Sequence, residues 1–256
     1  MTDFTTRGLH KIRREGTPTE AVNETALDRE LTEIERSRSM DRMSGIEALA
    51  GKRTEQERAN IPLIYRDAHL GNFRTPIYAD QNKVRLMNKI ISTWYKDFEA
   101  NYKKGKGLYI WSETKGSGKT RMAISLLNEI LVEHRIFGYF ATSTQIINEI
   151  KNTWDDDTTS ESELLRKLTR YHVLIIDDFG TELPKQWINE RFYHIINERY
   201  NNQKLTIYTS NHNLENLRYD DRIIDRIFES TFVVPMPEES IRRKLAKVEQ
   251  ERITNE

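Results

Sequence analysis

Apolar residues recur between residues 80 and 237 in two patterns, one with helical spacing and one in short continuous runs. Helical spacing is clearest after Asp80, where it covers Val84, Met87, Ile91, Trp94, Phe98 and Tyr102. This spacing places the side chains on one face of a helix, and Asp80 stands where an N-cap residue is favoured. We therefore predict an amphipathic helix whose aromatic face packs into a core.

Short apolar runs mark five predicted strands: Leu108–Trp111, Gly138–Ala141, Val173–Ile176, Leu205–Thr209 and Phe232–Val234. Segments with helical periodicity separate these runs, including two successive segments at about 144–154 and 161–171. Strands that alternate with helices predict a mainly parallel sheet, and an uninterrupted apolar strand indicates that both faces are covered. The sequence thus predicts an α/β fold with a parallel five-stranded sheet.

The first 60 residues carry few apolar positions among many charges. The segment Thr17–Glu20 is typical of a capped helix start, with proline at the first helical position. Leu27, Leu31 and Ile34 follow at helical spacing. Because so narrow an apolar stripe buries little surface by itself, we predict that residues 1–60 form a helical partner-binding region. A solvated tail is the alternative.

Proline and glycine positions divide the rest of the chain. A helix is expected to end at Ile61-Pro62, because a residue before proline is displaced from the helical conformation. We predict a linker and lead-in helix over 61–106, a core over 107–237 and a short C-terminal tail over 238–256.

Composition narrows the possible classes of function. The chain has 256 residues, and its 40 basic residues balance 40 acidic ones. Any contact with nucleic acid must therefore come from a local patch. Cysteine is absent from the sequence, which excludes disulfides, thiolate metal sites and a cysteine nucleophile. With no apolar signal segment and no apolar run near ~18 residues, we expect a cytoplasmic protein without membrane contact.

The sequence Gly116-Ser117-Gly118-Lys119-Thr120 lies between a predicted strand and a predicted helix. A glycine-rich turn in this position offers successive backbone N–H groups to phosphate oxygens, and the helix directs its positive end toward them. Lys119 is expected to reach the β- and γ-phosphates, and the Thr120 hydroxyl to hold Mg²⁺. We predict ATP and Mg²⁺ as the cofactors.

One position departs from this phosphate-loop (P-loop) pattern. Glycine is expected five residues before Gly118, and the chain has Glu113 there. A carboxylate directed at a triphosphate would repel it, so either the side chain points outward or the loop path differs. Lys115 offsets part of the charge, and we expect nucleotide binding with weakened affinity. The alternative is a non-hydrolysing adaptor protein in which Glu113 has abolished binding.

Polar residues follow the third and fourth predicted strands. Asp177 and Asp178 come after the apolar run that ends at Ile176, and Asn211 follows Thr209. An acidic residue at the end of a strand beside the P-loop strand can hold Mg²⁺ through water, and Asp177 is assigned this role. Asp178 is the candidate general base for the attacking water. Asn211 is expected to hydrogen-bond that water or the γ-phosphate; a purely turn-forming role is the alternative.

Together, these motifs resemble those of AAA+ P-loop ATPases of the DnaC/DnaI helicase-loader type, with IstB transposition ATPases as close relatives. The likeness covers roughly residues 61–245. Five segments carry it besides the P-loop: the lead-in Ile61–Asp67, the Walker B extension Asp177–Glu182, the sensor 1 segment Thr209–Asn211, the arginine-finger box Arg222–Ile227 and the sensor 2 segment Ser240–Arg242. The resemblance implies an AAA+ P-loop NTPase core with no full lid domain, because only the tail over 238–256 is available for one.

The resemblance also implies roles for arginines. Arg226, with Arg222 as second candidate, would be the finger that reaches the γ-phosphate of a neighbouring subunit. Hydrolysis would then require self-association into an ATP-dependent oligomer. Arg242 would contact nucleotide within its own subunit. Asp178 is one methylene shorter than the glutamate of fast AAA+ motors, which implies a slow ATPase that acts as a switch.

The function implied by the resemblance is an ATP-dependent helicase loader. It would bind a DnaB-type replicative helicase through residues 1–60 and place it on single-stranded DNA during replication initiation. The doubled helical segment before Asp177 resembles the extra helix of initiator and loader ATPases, which suggests DNA-phosphate contacts for Lys151, Arg166, Lys167 and Arg170. A transposase helper of the IstB type, with the same ATPase and another client, is the alternative.

Overall fold

A computed structural model describes residues 51–155, 160–182 and 185–254. The predicted helix start at Thr17–Glu20 and the stripe from Leu27 to Ile34 lie outside these residues. The chain divides into two units, Met1–Gly51 and Lys52–Glu256. The elements below belong to the second unit, which opens with helical residues 52–58 (α1). The helix ends before Ile61-Pro62, as the proline predicts.

Five strands form one parallel sheet, which confirms the predicted α/β class. They are β1 (Gly107–Trp111), β2 (Gly138–Thr142), β3 (Val173–Asp177), β4 (Leu205–Ser210) and β5 (Thr231–Pro235). Their order across the sheet is β2-β3-β4-β1-β5, and every neighbouring pair is parallel. Each predicted strand is present and extends one or two residues beyond its predicted bounds.

Helices connect and cover the strands. They are α2 (Gln81–Lys96), α3 (Phe98–Lys103), α4 (Lys119–Glu129), α5 (Ser143–Asp155), α6 (Glu161–Arg170), α7 (Gln186–Asn201), α8 (Asp221–Ser230) and α9 (Ile241–Thr254). A π-helical segment, Ile130–His134, follows α4. Beyond β5, the described residues contain one helix, α9.

The predicted lead-in helix after Asp80 is interrupted, which corrects its expected extent. Asp80 does cap α2, since its side chain accepts a hydrogen bond from the N–H of Lys83. The helix stops at Lys96, and α3 starts at Phe98. The reason is local: Asn101 Nδ2 donates a 2.9 Å hydrogen bond to the Trp94 carbonyl, which a continuous helix would use for its own next turn.

Apolar side chains fill both faces of the sheet, as the uninterrupted strands predict. Successive side chains of a strand point to opposite faces. Leu108 and Ile110 therefore pack with α2 and α4, whereas Tyr109 packs in a second cluster with α5 to α8. Tyr102 is the only member of the predicted aromatic face that is not fully buried.

The parallel arrangement brings the carboxyl ends of β1, β3 and β4 to one edge of the sheet. The loop after β1 leads into α4 at this edge, and Asp177 and Ser210 are the last residues of β3 and β4. Ligands of open α/β sheets bind at this edge. No helix among the described residues is long and apolar enough to cross a membrane.

Candidate nucleotide-binding site

The loop between β1 and α4 has the backbone of a phosphate cradle. Gly116 and Gly118 adopt φ values of 80° and 101°, in the left-handed region that favours glycine. A Cβ on Gly118 would lie 2.8 Å from the Tyr78 hydroxyl, and one on Gly116 would lie 2.9 Å from Ser240 Oγ. Side chains at these two positions would therefore clash as well as strain the backbone.

The start of α4 leaves backbone donors for a ligand. Gly118 is the N-cap residue and has no side chain to occupy the N–H groups of the first helical turn. These N–H groups and the positive end of the helix dipole favour an anion. The glycine conformations and this uncapped helix start both fit a bound phosphate chain.

A cavity of about 530 Å³ opens over this loop and gathers most of the predicted site. Its lining includes Gly116, Ser117, Gly118, Lys119, Thr120, Asp178, Asn211 and Arg242. Lys115 and Arg121 also line it, so the lining carries four cationic side chains and one carboxylate, that of Asp178. This excess of positive charge suits a polyanionic ligand.

The Lys119 side chain is held inside the loop. Its Nζ donates to the carbonyl of Ser112 at 3.0 Å, to the carbonyl of Thr114 at 3.1 Å and to Ser117 Oγ at 3.3 Å. Burial lowers the pKa of Lys119, and the carboxylates of Asp178, Glu238 and Asp177 oppose this decrease. The ammonium group is thus positioned between the loop and the acidic residues of the sheet edge.

Asp177 lies behind the P-loop with both carboxylate oxygens occupied. Its Oδ2 accepts a 3.2 Å hydrogen bond from Thr120 Oγ1, and its Oδ1 accepts a 2.6 Å bond from Thr209 Oγ1. The side chain is nearly buried, and this burial raises the pKa of Asp177 to about 6. The structure therefore brings the two predicted magnesium-binding residues, Thr120 and Asp177, into contact.

The oxygen atoms of Thr120 and Asp177 fit a magnesium ion. Mg²⁺ prefers oxygen ligands and commonly uses one or two protein groups together with water and substrate phosphates. The described residues contain no cluster of three or more histidine, aspartate or glutamate side chains that could enclose a metal alone. A magnesium ion here would need oxygen ligands from nucleotide and water.

Asp178 has an unusual backbone conformation for a non-glycine residue. Its φ is 55°, in the left-handed region where aspartate and asparagine are enriched. Its N–H donates to Thr209 Oγ1 at 3.0 Å, and its Oδ1 lies 3.4 Å from Asn211 Nδ2. The backbone conformation at this position therefore favours aspartate or asparagine among the non-glycine residues.

Thr209 is a site residue to which the sequence analysis gave no role. The sensor 1 segment directed attention to Asn211, which does line the cleft. Thr209 instead contacts both acidic residues, because its hydroxyl donates to Asp177 and accepts from the Asp178 N–H. The sequence could have indicated this role, because Thr209 lies near the end of β4 and β4 pairs with β3.

Glu113 takes the first of the two arrangements that its sequence position allowed. Its side chain is exposed, and it does not contribute to the cleft lining. Glu113 is also absent from the described residues with positive φ, so this turn of the loop does not require glycine. The departure from the P-loop pattern is therefore compatible with the cradle formed by residues 116–120.

The stretch before α2 supplies further contacts that the sequence analysis missed. The Tyr78 hydroxyl donates a 2.6 Å hydrogen bond to the carbonyl of Ser117. Arg121 Nη2 donates to Asn72 Oδ1 at 2.9 Å, and Tyr65 lines the cleft. This stretch consists of short 3₁₀ turns without apolar periodicity, so only its aromatic residues offered a signal.

Arg242 contacts the P-loop through its backbone as well as lining the cleft. Its N–H donates a 3.2 Å hydrogen bond to the Gly116 carbonyl. The two candidate finger arginines do not line the cleft. Arg226 lies 4.8 Å from the ring centroid of Tyr200, and Arg222 makes an ion pair with Asp220. Their role at a neighbouring subunit stays a prediction.

The predicted DNA-contact residues separate into two places. Lys151 lies 5.9 Å from the ring centroid of Trp187. The other three, Arg166, Lys167 and Arg170, line a different surface groove together with Phe137, Tyr171 and His172. Three of the four basic side chains thus share one groove, and Lys151 is not among the residues that line it.

Comparison with known proteins identifies the family. The sequence model of the family described as IstB-like ATP binding protein matches residues 104–249, more than half of the chain. The chain belongs to this family. The match covers the P-loop, Asp177, Asp178 and Arg242, so the resemblance stated from the sequence is confirmed. The fold is that of an AAA+ P-loop core, and nucleotide binding is the property that the family description names.

This IstB-like protein is also similar to proteins of replication initiation. Replicative helicase loader DnaC of Escherichia coli K12 is 23% identical over 209 residues, which cover 81% of this chain and 75% of that protein. Replicative helicase loader DnaI of Bacillus subtilis is 25% identical over 206 residues, which cover 79% and 60%. A crystal structure of the DnaC helicase loader has a TM-score of 0.58 at 29% identity and covers 68% of this chain and 99% of that one.

Proposed function

We propose that this IstB-like protein is an ATP-dependent replicative helicase loader. The nucleotide part of the proposal depends on one observation: the P-loop, Thr120 and Asp177 meet at the edge of a cationic cleft. The loader part is supported by the similarity to proteins named helicase loaders over about four-fifths of the chain. Cytoplasmic location is part of the same proposal.

In the proposed reaction, each residue of the cleft has a separate role in ATP hydrolysis. The backbone N–H groups of residues 116–120 bind the phosphates, and Lys119 neutralises the terminal ones. Thr120 and Asp177 hold Mg²⁺, which when bound withdraws charge from the phosphate oxygens. Asp178 accepts a proton from water as the water oxygen bonds to the γ-phosphorus and the bond to the β-phosphate oxygen breaks. ADP and inorganic phosphate are the products.

Two further residues complete the proposed reaction site. Asn211 lines the cleft 3.4 Å from Asp178 and orients the attacking water. Arg242 lines the cleft and would bind the phosphates of the nucleotide held by its own subunit. Arg226, or Arg222 in its place, would stabilise the transition-state charge of a neighbouring subunit. Turnover therefore depends on assembly of several copies.

A pair of tryptophans supports binding of single-stranded DNA. Trp154 is 53% exposed, and its ring meets that of Trp187 edge-to-face at 4.9 Å between centroids. Its Nε1 donates to Glu161 at 2.9 Å, which holds the ring in place. Lys151 adds a cation beside Trp187. Exposed aromatic rings with a nearby cation are typical of surfaces on which bases of a single strand stack.

The test of the loader proposal is assembly with a replicative helicase. The full chain is mixed with the DnaB-type helicase of its host, and complex mass is measured by light scattering with and without ATP and Mg²⁺. A stable complex, with a mass that changes with nucleotide, is the expected result. Absence of a complex under both conditions would contradict the helicase partner.

The family match favours a second candidate, a transposase helper ATPase of the IstB type. Its ATPase residues would be the same, and its client would be a transposase on duplex DNA. The full chain is therefore also tested for binding to duplex DNA with its host's transposase. Helicase binding without transposase binding supports the loader, and the reverse supports the helper.

A non-hydrolysing adaptor is distinguished by nucleotide binding. Titration with a fluorescent ATP analogue and Mg²⁺ is expected to give saturable binding. Saturable binding that is never followed by phosphate release, even with helicase and DNA, would indicate an adaptor. Absence of binding would remove the ATP-dependent proposal entirely.

A further inference from the structure

Glu238 binds the three residues that follow β1, at the start of the loop that contains the P-loop. Its Oε2 accepts hydrogen bonds from Ser112 Oγ and from the Thr114 N–H, both at 2.9 Å. Its Oε1 accepts a 3.3 Å bond from the Glu113 N–H. One carboxylate therefore accepts hydrogen bonds from three successive residues. These residues, 112–114, form the first limb of the loop after β1.

The same limb is bound from its other side by Lys119. The Lys119 ammonium donates hydrogen bonds to the carbonyls of Ser112 and Thr114. Glu238 accepts hydrogen bonds from the Ser112 hydroxyl and the Thr114 N–H. Residues 112–114 are thus held between a cation and an anion. Each contact is charge-assisted and stronger than a neutral hydrogen bond.

This anchor is located where the chain departs from the P-loop pattern. Glu113 occupies the position of the first glycine, and its N–H is one of the groups that Glu238 binds. Burial raises the pKa of Glu238, but the hydrogen bonds from Ser112 and Thr114 more than offset this effect, so its pKa lies below the ordinary value. The carboxylate is ionised at neutral pH.

Glu238 is not among the residues that line the cleft. The cleft lining starts at Lys115 and continues along the loop, while residues 112–114 and Glu238 lie outside the lining. The donors that Glu238 takes are therefore separate from the N–H groups of Gly116 to Thr120. Its contacts fix the limb without filling the cradle.

The next residue, Glu239, provides a contrast within the same turn. Its carboxylate accepts hydrogen bonds from the N–H groups of Ala79 and Asp80 at 2.8 to 2.9 Å and pairs with Lys244. Glu239 thus binds the lead-in stretch, and Glu238 binds the P-loop. The two carboxylates offer matched variants with different expected effects.

We propose that Glu238 is a positioning residue of the nucleotide site, whose carboxylate fixes residues 112–114 so that the phosphate cradle keeps its binding geometry. The inference rests on the proposed nucleotide-binding function. It also predicts a property of the loop without nucleotide, namely that the N–H groups of Glu113 and Thr114, which donate to Glu238, are protected from hydrogen exchange.

The test uses the full chain and two readouts. Amide hydrogen exchange of residues 113 and 114 is measured without nucleotide, and affinity is measured with a fluorescent ATP analogue. We expect Glu238→Ala to increase that exchange about tenfold and to weaken analogue affinity about tenfold. Glu238→Gln keeps a carbonyl acceptor and is expected to recover most of both losses.

Two variants serve as controls. Glu239→Ala removes the acceptor of the Ala79 and Asp80 N–H groups, and it is expected to increase amide exchange there and to leave exchange at residues 113 and 114 unchanged. Glu249→Gln replaces an exposed glutamate of α9 and is expected to leave both readouts unchanged. Circular dichroism confirms folding; if Glu238→Ala does not fold, Glu238→Gln is compared with Glu238→Leu, which keeps much of the side-chain volume and lacks any acceptor.

The outcomes separate this inference from the proposed function. Exchange and affinity equal to wild type in Glu238→Ala would overturn the positioning role. Tighter analogue binding would also overturn it, by showing that the carboxylate competes with phosphate. If the wild-type chain binds no analogue, the proposed function fails, and unchanged or increased loop exchange still decides whether Glu238 anchors the loop.

Discussion

Thr209 donates a 2.6 Å hydrogen bond to Asp177. Because the same hydroxyl accepts the Asp178 N–H at 3.0 Å, one side chain of β4 fixes both acidic residues that follow the apolar part of β3. Thr209 is fully buried, so water cannot replace its contacts. The orientation of the candidate metal ligand and of the candidate base thus depends on a residue that contributes no charge.

Replacing Thr209 by valine tests this dependence. Valine keeps the shape of threonine but removes the hydroxyl, so Asp177 and the Asp178 N–H each lose a buried partner. We expect ATP hydrolysis by the assembled complex to fall about tenfold or more, with nucleotide binding retained. Phosphate release is measured beside Thr93→Val, an exposed control on α2. Wild-type turnover in Thr209→Val would refute the positioning role.

Because Asp177 is buried, we expect the difference in stability between wild type and Asp177→Asn to depend on pH. Its pKa is raised to about 6, above that of an unfolded aspartate, so its favourable contribution is present below about pH 4 and is lost as pH rises through 6. Asp177→Asn does not titrate. Without nucleotide and metal, we expect this variant to exceed wild type in free energy of unfolding by about 3 kcal/mol at pH 7.5, and to match it near pH 4.

Urea denaturation of both proteins at pH 4, 5, 6 and 7.5 measures this difference. The other titrating groups contribute equally to both proteins. Their contributions cancel in the difference between the two free energies of unfolding at each pH. The same variant is expected to lose magnesium-dependent nucleotide affinity at pH 7.5. A stability gap that stays constant across the pH range would contradict the raised pKa of Asp177.

The conformation of Asp178 makes asparagine a better test of the base than alanine. Asparagine tolerates the left-handed conformation, so Asp178→Asn is expected to fold and bind nucleotide like wild type while phosphate release falls at least a hundredfold. Asp178→Ala should also lose about 1 kcal/mol of stability. Nucleotide affinity, turnover and thermal melting of both variants are compared. Retained turnover in Asp178→Asn would remove Asp178 from the role of base.

The elements of the sheet could be predicted because their signals are local. Each buried parallel strand is a short apolar run, such as Val173–Ile176, and the P-loop is a contiguous pattern between a strand and a helix. Asp177 and Asp178 could be placed at the sheet edge for the same reason, since they directly follow the apolar run of β3. Local sequence was sufficient wherever the place of a residue follows from its position within one element.

The contacts that the sequence did not reveal are between distant segments. Glu238 reaches Ser112 because β5 pairs with β1, so that Pro235 lies opposite Trp111. Tyr78 reaches Ser117 from a stretch of 3₁₀ turns without periodicity. The break at Asp97 also escaped prediction, since apolar spacing continues across it while a side chain from the next turn takes the backbone acceptor.

Restoring the missing P-loop glycine should change little. Glu113 is exposed, lies outside the cleft lining and does not have positive φ. Glu113→Gly removes a screened negative charge, so we expect ATP-analogue affinity to increase by about twofold or less. Titration at low and high salt measures this effect, with Glu113→Gln as the charge-only control. A tenfold gain in Glu113→Gly alone would show that the backbone at 113 limits binding.

Two surfaces could bind single-stranded DNA: the tryptophan pair with Lys151, and the groove lined by Arg166 and Arg170. The salt dependence of DNA affinity in variants of each surface distinguishes them. Trp154→Ala removes a stacking ring without changing charge, so we expect about tenfold weaker binding to a labelled single strand with an unchanged salt dependence. Lys151→Ala removes one phosphate contact and should lower the slope of log affinity against log salt by about 0.7. Fluorescence anisotropy at several salt concentrations measures both variants.

The groove variant Arg166→Ala/Arg170→Ala completes this comparison. Its cations lie apart from the tryptophan pair, so a strand that stacks only on Trp154 and Trp187 should bind this variant with wild-type affinity. A reduced slope in the groove variant, with Trp154→Ala unaffected, would instead place the strand on α6. Because stacking changes affinity without changing the slope and phosphate contacts change both, the two measurements together locate the DNA on this surface.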